Sequence, residues 1–303
     1  MTEVLLGDYT GTEKELSELS SYLCDRIADF SPSTSRNRPE ILLPSRTEVI
    51  RFTELARTVL FPGFFGNDEI TAKSISFNVA YCIDEMTRKL KEQIKRGFCF
   101  GRAEHVMNCG ACEHSAEQIS KKFVSLLPSI QNFLLLDAQA AYKGDPSATS
   151  VDECIYSYPG LLAVTNYRIA YELQLMKVPI IPRIITEYAH SITGIDIHPS
   201  AKIGKSFFID HGTGVVIGET CVIGDNVRLY QGVTLGAKTF DKNEDGNVVK
   251  GSLRHPILED NVIVYSGATI LGRVTVGEGS VIGGNVWLTH DVPPGARITI
   301  NHS

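Results

Sequence analysis

The chain has 303 residues, of which 43% are hydrophobic and 21% are charged, and its formal net charge is −6 at pH 7. This composition allows a buried core and excludes a wholly disordered chain. The acidic balance argues against a nucleic-acid-binding protein, which needs a concentrated basic surface. The length predicts about two domains.

The sequence gives no sign of a membrane or secreted protein. It lacks an apolar run of about 18 residues, the length that a transmembrane helix requires. Its first ten residues, MTEVLLGDYT, lack the basic region and apolar stretch of a secretory signal. Seven cysteines are an odd and sparse number, which indicates free thiols in a reducing compartment. We therefore expect a cytoplasmic protein.

Residues 1–193 are predicted to form a helical domain. Only nine of the 26 glycines lie there, and apolar residues such as Ile83, Met86, Leu90 and Ile94 recur at helical spacing. Three hydroxyl residues are each followed, three positions later, by Glu or Gln, which is the capping-box pattern of a helix start. These pairs are Thr12 with Glu15, Ser45 with Glu48, and Ser115 with Gln118.

The helical region also holds four residues of metal-binding type within ten positions, namely His105, Cys109, Cys112 and His114. A structural zinc site usually draws its ligand pairs from separated elements. Zinc, a redox pair and ordinary free thiols all remain open, and the last is favoured because a helical domain can bury a core without metal. We predict no metal.

From Ile197 onward an aliphatic residue recurs every six positions. The three runs are Ile197, Ile203 and Ile209; Ile217, Ile223, Leu229 and Leu235, after a slip of two residues; and Leu258, Val264, Ile270, Val276, Ile282 and Leu288. This period fits neither an α-helix nor an alternating strand, and it is typical of hexapeptide repeats. A sandwich of short strands would not keep such a frame.

The hexads predict a left-handed parallel β-helix. Each hexad supplies a short strand and a corner, three hexads complete a coil, and coils stack about 4.8 Å apart. The frame breaks in the polar segment 237–253, which carries Lys238, Lys242 and Lys250 and is predicted to be an extruded loop. The fold class is therefore α+β, with a helical domain over 1–193 and a β-helix over 194–303.

Histidines in the β-helix are candidate functional residues. His211 stands at the two-residue slip and is followed by Gly212, so the repeat is interrupted there for some other purpose. His255 directly follows the loop, and Asp196 precedes the first hexad. Spacing alone leaves open whether His211 is catalytic or a solvated corner residue.

Three segments together resemble the serine O-acetyltransferase family of cysteine biosynthesis. They are DIHPSAKIGKSFFIDHGTGVVIGETCVIGDNV, QGVTLG and RHP. The similarity covers the β-helix and the approach to it from Gly144 to Gly194. It implies acetyl transfer from acetyl-CoA to the hydroxyl of L-serine, giving O-acetyl-L-serine and CoA. It also implies feedback inhibition by L-cysteine, with no permanently bound cofactor and no metal.

The resemblance assigns roles residue by residue. His211 matches the general base, and Asp196 matches the carboxylate that holds its imidazole. The residues that match the binding site for serine, and for cysteine as inhibitor, are Asp145, Asp210, Arg254 and His255. Those that match the acetyl-CoA track are Thr234, Gly236, Ala237, Lys238, Ser266 and Gly284.

The chemistry suits these residue types. A neutral imidazole can take the serine proton as the hydroxyl attacks, and a carboxylate behind it fixes the tautomer. Arg254 offers a planar fork to the substrate carboxylate, and Asp145 and Asp210 suit its ammonium group. We expect direct attack in a ternary complex without an acyl-enzyme.

The resemblance also bears on assembly and partners. Hexapeptide transferases pack three prisms about a threefold axis, which predicts a homotrimer with sites between neighbouring subunits and leaves a dimer of trimers open. Many relatives insert a C-terminal tail ending in isoleucine into O-acetylserine sulfhydrylase. This chain ends in Asn301-His302-Ser303, so we expect no stable complex with that enzyme.

Three other functions are weaker. A gamma-class carbonic anhydrase needs two histidines close in sequence, whereas His198, His211 and His255 lie 13 and 44 residues apart. Another hexapeptide acyltransferase, acting on a sugar amine or hydroxyl, would not account for the helical domain and Asp145. A non-enzymatic scaffold would have no use for the polar set around His211.

Overall fold

The computed structural model describes residues 12–30, 43–66, 71–100, 110–239, 246–247, 249 and 251–300. His105, Cys109, Lys242, Lys250 and the terminal residues 301–303 lie outside these ranges. Within the ranges described, seven helices come first: α1 Glu13–Phe30, α2 Arg46–Leu60, α3 Ile75–Phe100, α4 Gly110–Gly144, α5 Val151–Ser157, α6 Pro159–Leu175 and α7 Ile181–Thr193. No helix in the described part is long and apolar enough to span a membrane.

The three capping boxes have three different outcomes. Thr12 and Glu15 exchange backbone-to-side-chain hydrogen bonds of 3.1 and 3.3 Å, as predicted. The Ser45 hydroxyl accepts the Glu48 N–H at 3.3 Å, but the Ser45 N–H donates to Gln93 rather than to Glu48.

The prediction that Ser115 begins a helix is wrong. Ser115 lies inside α4, which already starts at Gly110. Cys112 and Ala116, four residues apart, are both buried, so the apolar face of this helix extends upstream of Ser115. Burial of that face therefore outweighs the local cap pattern at Ser115.

Helices α2 to α7 contribute to one apolar core, which continues into the β-helix. The predicted face of α3 is buried at Met86, Leu90 and Ile94. In contrast, α1 leaves Leu16 and Leu23 more than half exposed.

The C-terminal half is a left-handed parallel β-helix of about five turns, as predicted. Its strands are β1 Asp196–Ile197, β2 Lys202–Ile203, β3 Phe208–Asp210, β4 Val216–Ile217, β5 Val222–Ile223, β6 Arg228–Tyr230, β7 Thr234–Gly236, β8 Ile257–Leu258, β9 Ile263–Val264, β10 Thr269–Leu271, β11 Thr275–Val276, β12 Val281–Ile282, β13 Trp287–Leu288 and β14 Arg297–Ile298. The aliphatic hexad positions point inward and are buried, except for the half-buried Ile203.

The strands form three parallel sheets, one on each side of the prism. Sheet A is β1-β4-β7-β10-β13, sheet B is β2-β5-β8-β11, and sheet C is β3-β6-β9-β12-β14. We call the edge where the chain passes from sheet C to sheet A the C–A corner, and the edge from sheet A to sheet B the A–B corner. Both corners border sheet A.

The two-residue slip lies at the C–A corner. His211, Gly212 and Gly214 there have φ angles of 58°, 90° and 80°, in the left-handed region. A side chain other than glycine is uncommon in that region, so the backbone at His211 is less favourable than at the glycines beside it. The loop leaves the prism at the A–B corner, between β7 in sheet A and β8 in sheet B.

The helical region docks onto sheet C of the first coil. A Cβ on Gly160 would lie 2.3 Å from the carbonyl oxygen of Ile209, so α6 approaches β3 as closely as glycine allows. The hydroxyl of Tyr167 donates a buried 2.6 Å hydrogen bond to the carbonyl of Ala201. The Gly160 contact places β3, and with it Asp210 and His211, against α6, and the Tyr167 hydrogen bond ties α6 to the residue before β2.

Candidate active site

Two of the predicted site residues meet where β3 ends at the C–A corner. Asp210 is the last residue of β3, and its side chain is 12% exposed, whereas that of His211 is 70% exposed. The His211 Nδ1 atom lies 3.9 Å from Asp210 Oδ1. An exposed imidazole beside a buried carboxylate can accept a proton from a ligand that approaches from outside the prism.

Asp145 joins this group from the helical region. It follows the last residue of α4, Gly144, whose carbonyl accepts a 3.0 Å hydrogen bond from Arg228 Nη1. A Cβ on Gly144 would lie 2.7 Å from the ring of Phe208, so the end of α4 packs directly on sheet C. Asp145 is thereby held over the strands that lead to His211.

The Asp145 carboxylate is held by three hydrogen bonds. Ser147 donates two of them to Oδ1, from its N–H at 2.8 Å and its hydroxyl at 2.6 Å, and the Tyr158 hydroxyl donates the third to Oδ2 at 2.6 Å. These bonds, with a smaller contribution from the nearby His211, lower the pKa of Asp145 from 3.8 to about 2. The group is therefore an oriented anion at neutral pH.

Asp196 lies close to the same corner but does not bond to His211. Its neighbour Ile195 packs against Gly212: a Cβ added to Gly212 would lie 2.4 Å from the Ile195 side chain. Within the described residues, however, Asp196 forms no side-chain hydrogen bond or ion pair with the His211 ring, whose partner is Asp210. The backbones of Asp196 and His211 thus lie close together, but their side chains do not bond to each other.

Arg254 and His255 form a second group at the A–B corner. Arg254 Nη2 donates to Glu219 Oε2 at 2.6 Å. The Thr220 hydroxyl accepts the N–H groups of both Arg254 and His255, at 3.0 and 3.1 Å. His198 belongs to the coil below, and burial together with Arg183 lowers its pKa.

His255 is held as a neutral ring in one tautomer. Thr220 offers its N–H at 3.1 Å and its hydroxyl at 2.9 Å to the Nδ1 atom of His255. Burial, and then the positive charge of Arg254, lower the pKa of His255 from 6.5 to about 4. Because Nδ1 accepts from the Thr220 N–H, the proton resides on Nε2, and the ring can donate from that atom.

The single chain therefore separates the predicted serine-binding residues into two groups. Asp145, Asp210 and His211 lie at the C–A corner, whereas Arg254 and His255 lie at the A–B corner. The two corners are opposite edges of sheet A, joined by strands such as β4. Both groups border the same face of the prism without meeting in one pocket.

The residues predicted to bind acetyl-CoA divide in the same way. Ser266 and Gly284 lie at the C–A corner of later coils, where the Asn285 N–H donates to the Ser266 carbonyl at 2.9 Å. Thr234 points out of sheet A, and Gly236, Ala237 and Lys238 lead into the loop at the A–B corner.

Among the described residues, no group of three or more His, Cys, Asp and Glu side chains could hold a metal ion. Cys112 is buried in α4, and the exposed His114 makes a 2.7 Å hydrogen bond with Gln118. A cavity of about 550 Å³ between α2, α3 and α4 is lined by charged side chains, several of them paired with one another, such as Lys95 with Glu113. It lies apart from the residues above.

Several residues that shape the site were not foreseen. Ser147 and Tyr158 orient Asp145, while Thr220 and Glu219 orient His255 and Arg254. The Gly218-Glu219-Thr220 segment carries a weak signal, because two polar residues follow a glycine at a corner of the repeat. Tyr158 has no such signal, because its contact with Asp145 depends on how α5 and α6 pack.

Comparison with known proteins gives a consistent result. Residues 255–290 match the family model described as bacterial transferase hexapeptide (six repeats). The chain is 48% identical over 263 residues to a Synechococcus elongatus protein named serine acetyltransferase, plasmid, covering 85% of this chain and 82% of that one.

Solved structures agree with that similarity. The crystal structure of Entamoeba histolytica serine acetyltransferase isoform 3, in complex with cysteine, superposes with a TM-score of 0.71 at 36% identity and covers 83% of this chain and 81% of that one. Soybean serine acetyltransferase complexed with serine gives a TM-score of 0.53 at 28% identity, covering 84% and 96% of the two chains.

Proposed function

The chain belongs to the serine acetyltransferase family, and we propose that it transfers the acetyl group of acetyl-CoA to the hydroxyl of L-serine, giving O-acetyl-L-serine and CoA. The observation that carries this proposal is the group at the C–A corner. There, Asp210 lies beside the exposed imidazole of His211, and Asp145 is near enough for that ring to help lower its pKa, so two carboxylates suited to an ammonium group face the same corner.

His211 is the general base in this mechanism. Its neutral imidazole takes the proton of the serine hydroxyl while the hydroxyl oxygen bonds to the acetyl carbonyl carbon. The carbon–sulfur bond then breaks, CoA leaves as a thiolate, and the imidazolium returns the proton to that sulfur. Acetyl passes directly from CoA to serine, and no acyl-enzyme forms.

Asp196 is the carboxylate partner of His211 when substrate is bound. Such a partner fixes the imidazole tautomer and stabilises the imidazolium that forms. The exposed His211 side chain has room to rotate, and the contact between Ile195 and Gly212 keeps the two backbones adjacent. A rotation of the ring would exchange its contact with Asp210 for one with Asp196.

Serine is held by the two charged groups on its α-carbon. Asp145 and Asp210 bind the ammonium group, and Arg254 binds the carboxylate through its planar fork. The Nε2–H of His255 supplies a further neutral donor to that carboxylate. L-Cysteine carries the same two charged groups, so we propose that it competes with serine for this site and acts as a feedback inhibitor. The cysteine complex of the Entamoeba relative supports this reading.

The enzyme is a trimer in this proposal, because the two groups of site residues lie at opposite edges of sheet A. Three prisms about a threefold axis put the C–A corner of one subunit beside the A–B corner of the next, which would complete each site. Acetyl-CoA then lies along Ser266 and Gly284 of one subunit. Gly236, Ala237 and Lys238 at the loop base of its neighbour contact it from the other side.

Two expectations from the sequence stay predictions. One is a cytoplasmic location. The other, the absence of a stable complex with O-acetylserine sulfhydrylase, depends on residues 301–303, which lie outside the described part of the chain.

The decisive experiment measures release of free CoA thiol from acetyl-CoA by the purified protein. Release that depends on L-serine, and not on amino or hydroxyl sugars, is expected. Release that depends on a sugar and not on serine would favour a different hexapeptide acyltransferase.

A further inference from the structure

We propose that Tyr158 is a positioning residue that sets how the serine ammonium group binds, by acting through Asp145. The inference rests on the proposed function, in which Asp145 receives that ammonium group. Tyr158 lies 13 residues from Asp145 in the chain, at the junction between α5 and α6, and its hydroxyl donates to Asp145 Oδ2 at 2.6 Å.

The hydrogen bonds at Asp145 leave one direction for a ligand. A carboxylate has about four acceptor positions, two on each oxygen. Ser147 fills both positions on Oδ1, and Tyr158 fills one on Oδ2. No further donor within the described part of the chain reaches this carboxylate, so the remaining lone pair, on Oδ2, is the position from which it can accept an N–H of the substrate ammonium.

Tyr158 itself is fixed by its place between two helices. Its N–H donates to the carbonyl of Cys154 at 3.2 Å, which closes α5, and Pro159 begins α6 immediately after it. Its ring packs against the small buried cluster of Ala141, Cys154 and Phe208. The phenol is therefore presented to Asp145 from a rigid support.

The proton of this pair stays on the phenol. The hydrogen bond to Asp145, followed by burial, raises the pKa of Tyr158 well above its usual value of 10, while the same bond helps to lower that of Asp145. Tyr158 is thus a donor and Asp145 an anion throughout the neutral pH range. An incoming ammonium group meets a negative charge whose orientation is already set, which reduces the ordering required on binding.

The test is the variant Tyr158→Phe, which removes the donor and keeps the ring. We expect the KM for serine to rise about two- to tenfold, the scale of one hydrogen bond. The inhibition constant of L-cysteine should rise by the same factor, whereas kcat and the KM for acetyl-CoA should stay within about twofold. The matched control is Tyr156→Phe, two residues earlier in α5. The exposed ring of Tyr156 stacks on Phe65, and loss of its hydroxyl should change neither KM.

A double-mutant cycle separates positioning from a purely structural effect. If Tyr158 acts through Asp145, adding Tyr158→Phe to Asp145→Ala should not raise the KM for serine further. A structural role would instead give additive losses and would also raise the KM for acetyl-CoA. Tyr158→Leu, which retains apolar packing without a donor, provides a second test should the Phe variant fold poorly.

An unchanged KM for serine in folded Tyr158→Phe, or additive losses in the cycle, would overturn the inference. The proposed function fails by a different outcome, namely wild-type protein that releases no CoA in response to serine. The two failures are therefore distinguishable.

Discussion

Arg168 in α6 grips the carboxylate of Asp137 in α4 through two hydrogen bonds, Nε to Oδ2 at 2.6 Å and Nη2 to Oδ1 at 2.9 Å. Both side chains are buried, and each also bonds to the first coil of the β-helix. The Phe207 N–H donates to Asp137 at 2.9 Å, and Arg168 donates to the carbonyl of Gly204 at 2.8 Å. This pair therefore fastens two helices to the coil that carries Asp210 and His211.

Replacing Asp137 by alanine should lower the free energy of unfolding by about 3–5 kcal/mol, because Arg168 would remain as a buried cation without its partner. Urea denaturation at a fixed protein concentration measures the change. The control is Lys121→Ala, which removes an exposed ion pair with Glu117 and should cost less than about 1 kcal/mol. Equal losses in the two variants would contradict the structural role of the buried pair.

Replacing His211 should abolish most of the activity and leave the fold intact. His211→Ala is expected to lower kcat by about 10²–10⁴-fold, the usual effect of losing a general base. Asp196→Asn should lower it less, because the base itself remains. Steady-state assays and circular dichroism measure the two properties.

A second substitution controls for the backbone of His211. Its φ of 58° is unfavourable for alanine, whereas asparagine tolerates the left-handed region better. His211→Asn should therefore match His211→Ala in activity and exceed it in stability. Turnover near that of the wild type in either variant would exclude His211 as the base.

The β-helix could be predicted from the sequence because a six-residue repeat of aliphatic residues specifies it. One aliphatic residue in six is enough to specify inward-facing positions such as Ile217, Leu229 and Ile270, and these side chains are buried. The slip at His211 and the loop near Lys238 were visible as breaks in that period. The helix upstream of Ser115 was not visible in the sequence, because burial of Cys112 and Ala116 outweighed the cap pattern at Ser115.

The site was less predictable, because its geometry depends on packing between distant segments. The resemblance supplied the residue roles, but no spacing in the sequence shows that His211 and Arg254 lie at opposite edges of sheet A. The hydrogen bond between Tyr158 and Asp145 likewise depends on packing between distant segments, because Tyr158 lies against a cluster of Ala141 from α4, Cys154 from α5 and Phe208 from β3.

His255 should make stability depend on pH. Its pKa falls from 6.5 to about 4 in the folded chain, so between these values the unfolded chain binds a proton that the folded chain does not. The contribution to the free energy of unfolding is therefore complete above about pH 6.5 and is lost as the pH falls to about 4. We expect it to be on the order of 1–3 kcal/mol.

The variant His255→Asn tests this pH dependence. The asparagine side-chain oxygen can accept the hydrogen bonds that Thr220 donates to Nδ1, but it does not titrate. Urea denaturation at several pH values between about 4 and 7 should show a shallower loss of stability in the variant than in the wild type. Parallel curves would mean that other groups cause the acid sensitivity.

Replacing Gly218 should weaken the binding of serine, because the His255 ring lies directly against this glycine. A Cβ at Gly218 would lie 2.0 Å from His255 Cδ2 and 2.2 Å from Nε2, so Gly218→Ala must displace the ring and break its hydrogen bonds to Thr220. In the proposed site this removes the Nε2–H donor, and the KM for serine should rise roughly tenfold or more. The inhibition constant of L-cysteine should rise in parallel, while the KM for acetyl-CoA changes little.

Gly110→Ala at the start of α4 is the control, because its Cβ would meet no atom within 4 Å and both KM values should stay unchanged. Wild-type serine affinity in Gly218→Ala would show that His255 does not contact the substrate.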